Sequence, residues 1–549
     1  MGHEAVLRPL NVTRGQQQST PALDPADPSG FSHLLGTPQP WQCSRWGNDP
    51  GATRDVLTRL VRALPEAPDW PCALKPGVSL DDNPFIPSGY TYLMQFVAHD
   101  LIRTHKPFPQ SAAMGIGSAS SRTGGMMLET LYGGGPAGCP ATYEPAAGNG
   151  NAGSDRTRLR LGAIAGHDSS AAMFRDLPRK TAHDDTKVAT HAGALAATAV
   201  DAADPRNDDN PILAQLVALF SLAHNIIADK VQPVRPEARF AYARAVMLAI
   251  YHGIIRNDLL PRLLHPAVWR AMNERHAASE TWLWQQPGLP LEFSHGAFRA
   301  GHAMVRPGYI LNSRVDEQDI ADLLGGNRHT GDATPAPLQP DRVVQWSRFF
   351  TLGATPSYSR RISPSRSSLD FRDLLPATGD DPDAVTFRDL LSAAAARLWS
   401  VDAMIAAIME RAPGLIPLGW MFAVPARRRS IIALWLTRLR TPANGLTDGD
   451  LAALADDPPL PLFILLEAGL DPILRGRCLG VLGSIIVGEV LFQRLAMERS
   501  RLEMLRTAAH TALPAELAAA VSGIDSMPGL VQFVARFGGM DDGAGLPFI

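Results

Sequence analysis

The sequence predicts a mainly α-helical protein built as one large domain. Three observations carry this. Apolar stretches with helical spacing recur at 89–101, 212–227, 460–468 and 478–492. Alternating runs of β-branched residues, which would mark strands, are scarce. No internal repeat and no second domain stand out in 549 residues, a length that suits several average domains or one large one.

Composition narrows the function classes. Apolar content is ordinary for a globular protein, and the net charge of −3 gives no basic surface for nucleic acid. Cys43, Cys72, Cys139 and Cys478 are far apart with no CxxC pair, which argues against a zinc site or a disulfide framework. The stretch 1–7 is too polar for a signal peptide. The expectation is therefore a cytoplasmic protein, with export by a signal-independent route left open. The apolar run 478–492 contains Glu489 and several glycines, and suits a buried core helix better than a membrane span.

Residues 1–75, rich in Pro, Gly, Gln and Asp, read as an extended leader over a surface, with one helix near Thr53 to Leu64. Residues 76–549 form the main domain. A turn at 82–88 feeds a helix over 89–101, and His105-Lys106-Pro107-Phe108-Pro109 closes it, since proline cannot continue a helix. That helix places Gln95 and His99 four residues apart, on one face. Spacing alone makes such a histidine a core residue more often than a catalyst. Residues 110–160 are dominated by Gly, Ala and Ser and carry no assigned chemistry, although Tyr132 adjoins a flexible Gly133-Gly134-Gly135 turn. The polar turn Asp204-Pro205-Arg206-Asn207-Asp208-Asp209-Asn210-Pro211 precedes an apolar helix that includes His224, and Asp209 or Asn210 could cap it. Two amphipathic helices follow over 236–275, then a segment 291–305 holding His295, Arg299 and His302. Residues 370–383 read as a loop, and late core helices occupy 460–468 and 479–490.

Three of these segments resemble one family. The run Gly89-Tyr90-Thr91-Tyr92-Leu93-Met94-Gln95-Phe96-Val97-Ala98-His99-Asp100-Leu101 is similar to the distal-histidine helix of the animal-type haem peroxidases, in the peroxidase-cyclooxygenase superfamily. The 204–211 turn resembles the segment that carries the catalytic arginine in bacterial members. Glu292-Phe293-Ser294-His295-Gly296-Ala297-Phe298-Arg299-Ala300-Gly301-His302-Ala303-Met304-Val305 resembles the proximal helix. Leu128 to Pro136, Phe174 to Arg179, Val344 to Phe350 and the tail near 529–537 extend the likeness over residues 80–540.

The resemblance implies a helical domain with buried haem. It assigns His302 as the axial ligand of the haem iron, His99 as the acid–base group, Arg206 as the cation on the departing peroxide oxygen, and Gln95 as a partner for water or a small anion beside His99. His295 is a weaker ligand candidate. Phe387-Arg388-Asp389-Leu390-Leu391 aligns with a helix whose Asn receives the proximal imidazole. Asp389 stands there, either as that acceptor or as a helix-dipole partner. Ala98 stands where the family has an ester-forming Asp, Asp209 where it has Glu, and Asn210 where one branch has a linking Met. The expected cofactor is haem b, held without covalent links or by one ester through Asp209. Asp100 matches a calcium ligand of the family, but a lone carboxylate makes no calcium site, and a solvated or paired Asp is the other reading. The implied activity is a peroxidase that reduces hydrogen peroxide and, through a ferryl haem, oxidises a small organic donor or a halide. The competing readings are a fatty-acid dioxygenase of the same superfamily, a tailoring oxidase of secondary metabolism and a non-enzymatic relative. Arg299 favours the first, because the dioxygenases carry a radical-forming Tyr three residues before the proximal His.

Overall fold

The computed structural model describes residues 30–66, 82–103, 122, 125–145, 156–166, 173–179, 200–231, 236–278, 282–325, 337–371, 384–497, 503, 507, 513–540 and 546–549. Helices dominate them, and the strands pair only as short two-stranded ribbons.

The organising helix is Pro211–Lys230. Proline at its first position and Asn210 as N-cap start it, with Asn210 Oδ1 accepting from Leu213 N at 2.8 Å. It is apolar on every face because it is surrounded. Its length and composition would suffice to cross a membrane, but 94% of that window is buried inside the protein, as befits a core helix. Gly89–Leu101, Pro236–Ile254 and Met527–Gly538 pack against it. Phe96 stacks on Phe220 at 4.9 Å, and Tyr251 closes edge-on against both rings.

Gly89–Leu101 forms as predicted. It enters from the strand Asp82–Pro87, which pairs with Tyr358–Arg360. Gly89 is required there, because a Cβ would lie 2.5 Å from the Phe350 ring and 2.7 Å from Phe349 O. The helix ends at Leu101, so the proline segment expected to close it lies outside the described residues. The expected helix pair over 236–275 contains a π turn, Ile255–Leu259. Its Asp258 accepts from Tyr90 Oη at 2.7 Å, Met527 N at 2.8 Å and Arg262 Nε at 3.0 Å, tying three helices together.

Two expectations change. Residues 30–66 are no surface leader. Leu34, Leu57, Leu60 and Val61 join the main core, and the Pro50–Ala63 helix packs on Val385–Ala395. Buried Glu292 anchors the segment by accepting from Leu34 N at 2.9 Å and His33 Nδ1 at 2.7 Å. The rest of the expected leader, with Cys72, lies outside the described residues, as do residues 372–383 of the expected loop. The 291–305 segment is a single α turn, Leu291–Ser294, followed by a 3-10 helix, Ala297–Met304. Gly296 permits the junction, since a Cβ would lie 2.3 Å from Glu292 O.

Candidate active site

Gly89–Leu101 and the 3-10 helix Ala297–Met304 face each other across a cavity of about 330 Å³. Gln95, Ala98 and His99 line it from one side, Gly301 and His302 from the other, with Asp209 and Asn210 at the edge and Phe298, Val305, Ile320, Leu324 and Leu369 completing an apolar wall. His99 and His302, 203 positions apart in sequence, thus meet in one concave site.

The hydrogen-bond network fixes the His99 tautomer. Asn207 Nδ2 donates to Thr130 O at 2.9 Å, and a carbonyl can only accept, so Asn207 Oδ1 is the oxygen. That oxygen accepts from Thr130 Oγ1 at 3.0 Å and faces His99 Nδ1 at 3.2 Å. His99 Nδ1 therefore carries the proton, and Nε2 keeps its lone pair. Asp209 Oδ2 lies 3.9 Å from Nε2, close enough to stabilise an imidazolium. Burial, and next the positive charge of Arg206, lower the His99 pKa to about 4. A neutral imidazole with a free Nε2 is a competent base.

The proximal side is built by helical period. A 3-10 helix turns every three residues, so Arg299 and His302 stack one turn apart. Both reach Asp389 on Val385–Ala395: His302 Nδ1 donates to Oδ2 at 2.6 Å and Arg299 Nη1 to Oδ1 at 2.6 Å. Burial alone would raise the Asp389 pKa, but His302 and Arg299 outweigh it and hold the carboxyl below its usual range. Of the two open readings of Asp389, the geometry matches the acceptor. Ser367 Oγ donates to His302 O at 2.7 Å and steadies the backbone. His302 Nε2 is the ring nitrogen not used by Asp389, and the side chain is 42% exposed, toward the cavity it lines.

Gln95 also has a fixed orientation. Asn210 Oδ1 is taken by Leu213 N, so Asn210 Nδ2 donates to Gln95 Oε1, at 3.2 Å, and the Gln95 NH2 is the end left for a ligand.

Three expected residues stand elsewhere. Arg206 does not line the cavity. Its guanidinium donates to Asp204 Oδ1 at 3.0 Å and Oδ2 at 2.6 Å, and to the carbonyls of Ile102 at 2.7 Å and His99 at 3.2 Å. A buried carboxylate and the open carbonyls at a helix C-terminus outcompete the cavity for it. Arg122 completes this clamp, donating to Asp204 Oδ2 at 2.6 Å and His99 O at 3.0 Å. Asp100 faces backbone amides. Its oxygens accept from Leu128 N at 3.0 Å and Thr130 N at 3.2 Å. Burial raises its pKa to about 6. Among the described residues no group of three or more His, Cys, Asp or Glu could hold a metal ion. His295 is buried against the Phe31 ring with Nδ1 2.9 Å from Ser294 Oγ, away from the cavity. His224, read as structural, accepts from Tyr132 Oη at Nδ1 and donates to Thr157 O from Nε2.

Sequence reasoning missed Asn207, Thr130, Arg122 and Asp204. Asn207 and Asp204 sit inside the 204–211 turn, where the run of side-chain acceptors was the available signal. Arg122 sits in a Gly- and Ser-rich stretch that gave none.

Residues 154–336 match the family model for animal haem peroxidase. Over that span, about a third of the chain, the sequence is similar to the animal haem peroxidase family. The matched span holds Arg206, Asp209, Arg299 and His302, while Gln95, His99 and Asp389 lie outside it. The fold agrees. Peroxidase A from Dictyostelium discoideum is similar with a TM-score of 0.51 at 14% identity, over 91% of this chain and 95% of that one. The fatty acid alpha-dioxygenase of Oryza sativa is similar with a TM-score of 0.52 at 12% identity, over 87% of this chain and 77% of that one. At these identities the likeness is one of fold. The dual oxidase of Drosophila melanogaster is 28% identical over 109 residues, 19% of this chain and 7% of that protein's length.

The residues present fit haem. The donor set is an imidazole with its second nitrogen tied to a carboxylate, the arrangement that orients a metal-bound histidine. Gly301 and Ala98 keep the cavity walls low: a Cβ on Gly301 would come within 3.3 Å of Met94 Cε.

Proposed function

We propose that this protein is a peroxidase that reduces hydrogen peroxide and oxidises a small organic donor or a halide. The observation that carries the reading is that His99 and His302, each with Nδ1 satisfied and Nε2 open, line one cavity from opposite walls. Bound haem b would be held through His302 Nε2 and would supply the redox-active iron, with the two electrons that cleaving the peroxide O–O bond consumes. The chain's own residues do the rest. His99 Nε2 takes the proton from one peroxide oxygen and delivers it to the other, which leaves as water. Asp209 faces the imidazolium while the proton is held there. Gln95 donates from its NH2 to water or anion beside His99.

The test is an optical titration of the purified protein with haem, then peroxide consumption for wild type, His99→Ala and His302→Ala. A histidine-type Soret band lost in His302→Ala, with peroxide consumption lost in His99→Ala, supports the reading. Unchanged turnover in His99→Ala sinks it.

The placement of Arg206 outside the cavity favours a second reading, a fatty-acid dioxygenase, since peroxide chemistry loses its expected cation. Oxygen uptake with a long-chain fatty acid and no peroxide would select it. Arg299, in place of a radical-forming Tyr, weighs against it.

A further inference from the structure

The segment 412–440 carries a surface that the haem site does not use. From residue 412 to residue 447 there is no Asp or Glu, while Arg427, Arg428, Arg429, Arg438 and Arg440 fall within it. Leu415, Phe422, Ile432 and Leu436 are buried in the core, and other apolar residues of the segment are turned outward. Leu418 is fully exposed, Leu434 is 59% and Val424 57% exposed, and Trp420 and Trp435 are half-buried. Val424 caps the helix Pro425–Leu439, and the 417–424 turn is held against that helix by Arg428, which donates to Phe422 O. On the helix, Arg427, Ile431, Leu434, Trp435 and Arg438 recur at i, i+4, i+7, i+8 and i+11, one continuous outer face.

Charge separates the arginines into two sets. Arg428 and Arg429 pair with Asp402, and Arg440 pairs with Asp448. Arg427 and Arg438, at the two ends of the outer face, are in no ion pair among the described residues. An apolar stripe with exposed leucines, tryptophans at its margin and unneutralised arginines at each end has the anatomy of a helix that lies in a membrane interface. Tryptophan favours the headgroup level, and arginine favours anionic headgroups.

We infer that the Pro425–Leu439 helix and the preceding 417–424 turn dock this protein on the surface of an anionic lipid bilayer, with Leu418 and Leu434 inserted and Arg427 and Arg438 on headgroups. No spanning segment is involved, and the inference is independent of the chemistry at the haem site.

The test is flotation of the full-length, haem-loaded protein with vesicles of phosphatidylcholine alone and of phosphatidylcholine with phosphatidylserine. Binding to the anionic vesicles that weakens with salt is expected. Arg427→Gln and Arg438→Gln each lose roughly fivefold in partitioning, and the double variant loses the preference for phosphatidylserine. Leu418→Asp with Leu434→Asp abolishes flotation while the Soret band and circular dichroism stay at wild-type values. No flotation with either vesicle overturns the inference. So does a dimer that Leu434→Asp dissociates in the absence of vesicle binding, because a second copy would then cover the face.

Discussion

His302 Nδ1 donates to Asp389 Oδ2 at 2.6 Å, while the other oxygen of that carboxylate is held by Arg299. A full carboxylate, kept ionised by two cationic or polarised donors, pulls the Nδ1 proton harder than an amide oxygen can. An axial ligand with that partner gives more electron density to iron.

Asp389→Asn is therefore expected to raise the reduction potential of the bound haem and to shift the iron–histidine stretching frequency downward. Spectroelectrochemistry and resonance Raman spectroscopy read these directly. Loss of the partner altogether, in Asp389→Ala, is expected to cost roughly 10- to 100-fold in haem affinity or turnover.

Asn207 sets which nitrogen of His99 is basic. Asn207→Leu removes the acceptor for Nδ1–H and lets the other tautomer form, so peroxide consumption should fall with haem binding unchanged. His99→Ala should fall further, by about 10²- to 10⁴-fold, the usual worth of a positioned acid–base group. Equal rates in Asn207→Leu and wild type would remove the tautomer argument.

The pH dependence follows from burial. Because the His99 pKa is lowered to about 4, its base form persists through neutral pH, and peroxide consumption should drop only as pH falls through about 4. His224, lowered to about 4, and His295, lowered to about 3, act on stability with the same sign. The unfolded chain binds protons at these sites from about 6.5 downward and the folded chain does not, so stability falls as pH drops over that window. Denaturant unfolding at a series of pH values measures the slope. Asn in place of His224 should flatten part of it.

Asp204 joins Arg122 and Arg206 behind His99. Asp204→Leu leaves two guanidinium groups at the end of a buried helix without their carboxylate, and a loss of about 3 to 5 kcal/mol is expected in urea unfolding. Arg206→Met separates two roles. A residue acting on peroxide would cost about 10²- to 10³-fold in rate with little change in stability. A clamp residue shifts stability and the acid limb of the rate profile, and this second outcome follows from the contacts in the structure.

Glu467 is fully buried at the start of the Val481–Met497 helix, accepting from Leu482 N at 2.8 Å, and burial raises its pKa to about 8. A raised acid binds a proton in the folded state that the unfolded state has lost. Its contribution is present at low pH and declines as pH rises from about 4.5 to about 8. Glu467→Gln should flatten the stability profile in that interval, as thermal melts across it will register.

Much of this protein was fixed by local order in the chain. Helical spacing located Gly89–Leu101 and Pro211–Lys230, because a 3.6-residue period and a proline start are properties of short segments. Motif likeness singled out His99, His302 and Asp389 for the same reason, since each sits in a run of residues read together. What the tertiary structure decided depended on competition between distant partners. Arg206 could serve the cavity or the end of the Gly89–Leu101 helix, and only the proximity of Asp204, Ile102 O and His99 O settled which. Asp100 could be read by its motif alone, but the amides it accepts from come from the 128–130 turn, nearly thirty positions on. Residues 30–66 looked like a surface leader by composition, yet Glu292, more than 250 positions away, supplies the buried acceptor that draws them into the core. Composition and period describe what a segment prefers by itself. Which neighbour satisfies a buried charge is a property of the folded chain.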